Sequence, residues 1–218
     1  MRKNQNARLR KPEILENYYQ VMIEEGIEGA SIGKIAGRMN IHPSLIIHYF
    51  KNKENMTLEL VDFLIDKYEA PEFLDFGHID DPRDRLEALM KTIFSLAWSR
   101  TVDPGLHFGF YYLSMRKPEI RRRFEKMIRR FRDYLVGELE YYRSAGVIGV
   151  QDVKTAADTI VVLMEGLEFH AHFLAEGRPF EAFADAARKV ALEMLQPADG
   201  RPRTARRPEA SGRDGAES

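Results

Sequence analysis

The sequence predicts an all-α fold. Apolar residues recur at intervals of three and four through almost every segment, and no stretch alternates apolar with polar residues as a half-buried strand does. Helix start and stop residues punctuate those segments, with Ser, Asp or Pro ahead of them and Gly or Asn behind. At 218 residues and 44% hydrophobic content, the chain can bury one large core or two small ones.

The first helix carries Ile14, Leu15, Tyr18, Tyr19, Met22 and Ile23 on one face and is stopped by Gly26. A short second helix starts at Ser31, a side-chain cap, and places Ile32, Ile35, Ala36 and Met39 at helical spacing. Asn40 suits the left-handed residue that ends it, and Ile41 turns into the core. Pro43 then opens a third helix, where a missing N–H costs nothing, with Leu45, Ile46 and Tyr49 following. A fourth runs from Lys53 to about Tyr68 on Met56, Leu60, Phe63 and Leu64. The turn-rich stretch from Ala70 to Pro82 reads as a connector. Further helices follow over Arg83 to about Arg100, Pro104 to Met115, Pro118 to Ala145, Asp152 (as cap) to Ala175, and Phe180 to Leu195. Nine helices are expected in all. From Pro197 the chain is rich in Pro, Gly and charge, cannot bury a core, and is expected to be disordered.

Composition removes several function classes. No cysteine is present, so disulfides, thiolate metal sites and cysteine nucleophiles are excluded, and a cytoplasmic location is expected. No apolar run approaches the roughly 18 residues of a membrane span. The basic start is followed by no apolar region of the kind a secretory signal needs. The net charge of −1 does not advertise a nucleic-acid partner. The opening arm of Arg2, Lys3, Arg8, Arg10 and Lys11 contains no acid, however, and reads either as a phosphate contact or as a solvated tail. No Ser-His-Asp pattern, phosphate-binding glycine loop or paired-carboxylate motif stands out, no cofactor is implied, and an enzyme has no residues to rest on.

Two short helices joined by a tight turn over Gly29 to Lys53 form a helix-turn-helix unit, whose second helix enters the major groove of double-stranded DNA. Its N-terminal and outward residues, His42, Pro43, Ser44, Leu45, Ile47 and His48, are the candidates to reach base edges. Leu45 and Ile47 carry no hydrogen-bonding group, so apolar contact with thymine methyls, DNA shape and phosphates should contribute more than base hydrogen bonds.

At these residues the chain resembles the TetR family of transcriptional regulators, whose pattern runs loosely T-x-x-x-I-A-x-x-x-G-V-S-x-G-x-L-Y-x-H-F-x-x-K-E. Ser31, Ile35, Ala36, Asn40, Ile41, His42, Ser44, Ile46, Ile47, Tyr49, Phe50, Lys53 and Glu54 fall on its places, and the run from Phe50 to Glu54 is the most specific part. Asn40 replaces the usual Gly, His42 the usual Ser, and Ile47 a Tyr that family members often set against DNA. The motif resemblance extends from about Pro12 to Tyr68. It implies phosphate contacts for Tyr49 and Lys53, and likewise for Ser31 at the start of the second helix. It further implies a small helical head on a larger helical body: residues 1–52 as arm and DNA-binding domain, 53–70 as linking helix, 71–196 as effector-binding and dimerisation domain, and 197–218 as tail.

In the body, aromatics gather on successive helices. Filling the core is their ordinary role, but the resemblance implies a small, partly hydrophobic effector between these helices. The candidate wall is Phe94, Trp98, His107, Phe110, Tyr111, Phe131 and Tyr134, with Glu165. Thr159 to Leu167 is apolar around most of its circumference and needs more cover than one small body offers. With the last helix it is the expected homodimer interface, through Ile160, Val161, Leu163, Met164, Leu167, Phe183, Ala187 and Val190, as the resemblance also implies. Glu165, Glu168 and His172 share a face and form an incomplete metal set. The basic run from Arg116 to Arg132 lines an amphipathic helix, where a solvated face is the default and a second DNA or anion surface the alternative. The expected protein is a homodimeric DNA-binding regulator, a repressor released by a small molecule. The alternatives are a ligand-independent dimeric DNA-binding protein, which a fully packed interior would favour, and a metal-dependent helical enzyme.

Overall fold

The computed structural model describes residues 2–68 and 74–196, with side chains described from Arg10 onward except at Tyr68. The side chains of Arg2, Lys3 and Arg8, the connector residues 70–73 and the tail from Pro197 lie outside the described residues. Ten helices are described: α1 Arg2–Gly29, α2 Ile32–Met39, α3 Pro43–Phe50, α4 Lys53–Tyr68, α5 Pro82–Ile93, α6 Leu96–Ser99, α7 Pro104–Arg116, α8 Pro118–Ser144, α9 Val153–Phe173 and α10 Phe180–Leu195.

The expected ninefold count becomes ten because the segment from Arg83 to Arg100 is two helices. Phe94 leaves the helical path, and Ser95 starts a new turn by accepting a hydrogen bond from the Trp98 N–H at 3.1 Å. Other ends follow the local chemistry of the sequence. Asp81, Asp103 and Asp152 cap α5, α7 and α9 with their carboxylates. Gly26, at φ 76° and ψ 165°, breaks the helical path inside α1 where a stop is expected, and a short helical stretch follows as far as Gly29. The basic arm is helical too, with Pro12 inside α1. Arg10 pairs with Glu13 at 2.7 Å, and Lys11 with Glu59 at 2.7 Å.

Two cores form. One gathers Ile14, Tyr18 and Met22 of α1, Ile35 and Ala36 of α2, Ile46 and Phe50 of α3, and Met56, Leu60 and Leu64 of α4, and it extends to Val102, Leu106, Phe110 and Ile120. The other packs α5, α8, α9 and α10 through residues such as Leu89, Ile93, Leu139, Ile160 and Leu195. α1 meets α7 closely. The Tyr19 hydroxyl accepts the Asp103 N–H at 2.7 Å, and a Cβ at Gly109 would lie 2.4 Å from the Ile27 side chain. Inside the second core, Glu138 accepts two hydrogen bonds from Arg85, at 2.5 and 3.0 Å, and a third from the Tyr142 hydroxyl at 2.6 Å. A buried carboxylate with three donors needs no solvent to hold its charge.

Candidate functional site

The helix-turn-helix is built from short-range bonds. Ser31 Oγ accepts the Lys34 N–H at 3.3 Å, and Asn40 takes a left-handed conformation, φ 51° and ψ 47°, whose N–H reaches the carbonyls of Ala36 and Gly37. His42 Nδ1 caps α3 by accepting the Ser44 N–H at 3.3 Å, and it lies 2.8 Å from Ser44 Oγ. Pro43 stands in the first turn. Ile46 and Phe50 are buried, which turns Ser44, Ile47 and His48 outward. Ile47, 48% exposed, is an apolar side chain left standing in water on the outer face of a helix otherwise anchored in the core. Pro43, Leu45 and Tyr49 are half-buried, Tyr49 packed against the first core and edge-on to His48.

Lys53 departs from the simple phosphate contact that its position implies. Its Nζ donates to the carbonyls of Ile27, at 3.1 Å, and Glu28, at 3.3 Å, so two of its three donors tie the start of α4 to the end of α1. Sequence reasoning missed Lys51. It ends α3 at φ 68°, is exposed, and has no side-chain partner among the described residues. The signal available was only its place, one residue past the recognition helix. Lys34 and Arg38 of α2 are engaged with Glu25 and Glu24, each at 2.7 Å.

The basic run on α7 and α8 is largely neutralised by the protein itself. Lys117 meets Glu54 and Arg123 meets Asp62, each at 2.8 Å across to α4, while Arg132 pairs with Asp158 of α9. Arg122 and Arg129 pair within α8, with Glu119 and Glu125. Cations so committed leave little free charge for a second anionic surface.

Between α4, α6, α7, α8 and α9 lies a cavity of about 710 Å³. Of the expected wall, Trp98, His107, Phe110, Phe131, Tyr134 and Glu165 line it. Phe94, expected in the wall, is instead buried in the second core and does not line the cavity. Tyr111 also stands outside the wall and acts from behind, its hydroxyl donating to Glu165 Oε2 at 2.6 Å. Ser99, Phe124, Met127, Ile128, Arg130 and Glu168 join the wall without having been singled out as cavity residues, as do Val61, Leu64 and Ile65 of α4. Trp98 and Phe131 pair with ring centroids 5.4 Å apart.

The polar end of the cavity centres on Glu165. Burial by itself would raise its pKa, but His107 and Tyr111 outweigh that and hold it below the usual carboxylate value. His107 Nε2 stands 3.8 Å from Glu165 Oε2, an ion-pair separation too long for a hydrogen bond, and is buried with no hydrogen-bond partner. Glu168 is pushed the other way by burial and by neighbouring Glu165, beyond what Ser99, His107 and Arg100 offset. His172 does not join Glu165 and Glu168 at the cavity. It lies exposed against Phe108 and Phe173, and the described residues bring no three metal-ligating side chains together.

The residues expected at the dimer interface differ in burial within the single chain. Ile160, Met164 and Leu167 are buried in this chain's own second core, and Val161, Met164 and Leu167 line the cavity. Leu163, Phe183 and Ala187 are half-buried against the same core, whereas Val190 is exposed. The outward stripe of α9 is instead Val162, Gly166, Phe169 and Phe173, at spacings of four, three and four. Its large side chains are 68%, 54% and 57% exposed, and Leu174 extends the patch.

Comparison with known proteins places this architecture. Residues 14–60 match the family model described as bacterial regulatory proteins, tetR family, and residues 81–197 match the tetracyclin repressor-like C-terminal domain. The chain is 22% identical over 159 residues to the HTH-type transcriptional regulator BetI of Rhizobium meliloti (strain 1021), covering 73% of this chain and 76% of that one. The BetI of Burkholderia mallei (strain NCTC 10229) is 22% identical over 190 residues, 87% of this chain and 95% of that one. In fold, a TetR transcription regulator from Haloarcula marismortui ATCC 43049 aligns with a TM-score of 0.72 at 18% identity, over 85% of this chain and 96% of its own. A transcriptional regulator from Saccharomonospora viridis in complex with choline aligns with a TM-score of 0.73 at 18% identity, over 83% and 94%. With both its head and more than half its length matched by the family's own models, the chain belongs to the TetR family and is a DNA-binding transcriptional regulator.

Proposed function

We propose that this regulator is a cytoplasmic homodimeric repressor. It reads its operator through the exposed face of α3 and releases it when a small molecule fills the cavity. One observation carries the coupling: α4 belongs to both sites. It begins three residues after α3 ends, and it lends Val61, Leu64 and Ile65 to the cavity wall. A ligand pressing on Leu64 and Ile65 acts on the rod that carries the recognition helix, and the links Glu54–Lys117 and Asp62–Arg123 hold that rod against the body. A ligand shifts this equilibrium only by its differential affinity for the two placements of α4. A ligand-independent regulator would have no use for so large an internal space, which falls in the roughly 300–1,000 Å³ range of drug-sized ligands.

For DNA, Ser44, Ile47 and His48 are assigned to base edges, with His42, Pro43 and Leu45 at their margin. Ser31, Tyr49 and Lys51 are assigned to phosphates, and Lys53 contributes its remaining donor. The domain division follows: residues 1–52 bind DNA, 53–70 link, and 71–196 bind effector and dimerise. The dimer surface is assigned to Val162, Phe169, Phe173, Leu174 and Val190, whose exposed apolar area exceeds what isolated surface residues explain. Selection of bound duplexes from a random DNA pool tests the operator reading. Lys51→Ala should weaken binding to selected and random duplexes alike and lower the salt slope by about one. Ile47→Ala should relax preference at one position per half-site, by about 1 kcal/mol. Enrichment of no sequence at all would overturn it.

A further inference from the structure

The effector cavity is asymmetric in charge. Three carboxylates line it, those of Asp75, Glu165 and Glu168. Glu165 Oε2 takes the Tyr111 hydroxyl at 2.6 Å and has His107 Nε2 at 3.8 Å. Glu168 Oε2 has Arg100 Nη1 at 3.7 Å, beyond hydrogen-bond reach, and that same Nη1 donates to Ser99 Oγ at 2.5 Å. Against these acids the wall sets His107 and Arg130, and Arg130 already has an interaction of its own.

We infer that the cavity takes a lipophilic monocation, of the quaternary ammonium or phosphonium class, held between Glu165 and Glu168 and the rings of Trp98 and Phe131. This rests on the cavity being the effector site. A partly buried carboxylate whose counter-charge stands beyond hydrogen-bond reach, as Arg100 does from Glu168, is costly, and a bound cation lowers that cost. Burial and the nearby Glu165 raise the Glu168 pKa, the behaviour of an acid short of such a partner. Aromatic rings attract cations through their negative faces, most strongly where water is excluded. The rest of the wall, including Leu64, Ile128 and Met164, offers contact but few hydrogen bonds, which suits a cation wrapped in hydrocarbon better than a hydrated ammonium. An anion would meet three acids, and the wall's His107 already stands 3.8 Å from one of them.

Trp98 is the chain's single tryptophan and lines the cavity, so its fluorescence reports occupancy directly. The probes are tetraphenylphosphonium, tetraphenylborate and triphenylphosphine oxide, which share a bulky phenyl shell and differ in charge. The full chain should bind the phosphonium saturably and at least about tenfold more tightly than the borate. Glu165→Gln with Glu168→Gln should weaken the phosphonium by about tenfold while leaving the oxide within about twofold. The single Glu168→Gln should lie between, and melting curves establish that each variant is folded. If the borate or the oxide binds as tightly as the phosphonium, or if the glutamine variants bind it unchanged, the cavity is a ligand site without charge preference and the inference fails alone. If none of the three probes reaches Trp98, both the inference and the effector reading fail.

Discussion

Val162→Glu combined with Phe169→Glu should convert the dimer to a folded monomer. The two side chains are 68% and 54% exposed within one chain, so replacing them removes little from its own core. Burying a Val or Phe fully stabilises by about 1.5–3 kcal/mol, so the exposed part of each contributes about 1–2 kcal/mol when a partner covers it. Two-fold symmetry counts each side chain twice, giving about 4–8 kcal/mol per dimer, or about three to six orders of magnitude in Kd. Four facing carboxylates in a former apolar contact add to that loss. Sedimentation equilibrium at low micromolar concentration should find the wild type dimeric and the double variant monomeric, with far-UV circular dichroism unchanged. Ile160→Glu, by contrast, should unfold the body, since Ile160 is buried inside the chain. A double variant that stays dimeric with native helicity would remove α9 from the interface.

Two further outcomes test the packing that positions the site. Glu138→Gln replaces the acceptor of three hydrogen bonds and leaves the Arg85 guanidinium facing an amide, so it should cost about 2–3 kcal/mol and lower Tm by about 5–10 °C; a loss below 1 kcal/mol by denaturant titration, against that scale, would show the network to be dispensable. Burial, partly offset by the Thr57 hydrogen bond, pushes the Tyr18 phenol from 10.0 up to about 12, so the folded state holds this proton more tightly than the unfolded chain. That contribution is complete below the unfolded pKa and drains as pH rises from about 10 to about 12. Tyr18→Phe should therefore flatten the alkaline stability loss, and equal slopes for both proteins would contradict it.

Local chemistry made much of this fold legible in the sequence. Ser31, Asn40 and Pro43 mark the helix-turn-helix because a cap, a left-handed residue and a first-turn proline each act within three or four residues of themselves. Periodicity found α4 and α10 to the residue. On α9 it gives no answer, because Thr159 to Leu167 is apolar all round and no stripe separates the buried face from the outward one. The split at Ser95 also escaped notice, since the apolar spacing continues across it into Trp98. Long-range bonds were beyond reach: nothing near Lys53 announces the carbonyls of Ile27 and Glu28, and nothing near Glu165 announces Tyr111, 54 positions away.

If α4 links the cavity to the recognition helices, ligand and operator binding are thermodynamically coupled. Tetraphenylphosphonium affinity can be measured by Trp98 fluorescence on the free protein and on its complex with a selected operator duplex, and operator affinity measured with and without saturating phosphonium. Both ratios should be the same factor, in the range of about 5–150 that coupled sites show. Equal phosphonium affinity for the free protein and the operator complex would contradict it.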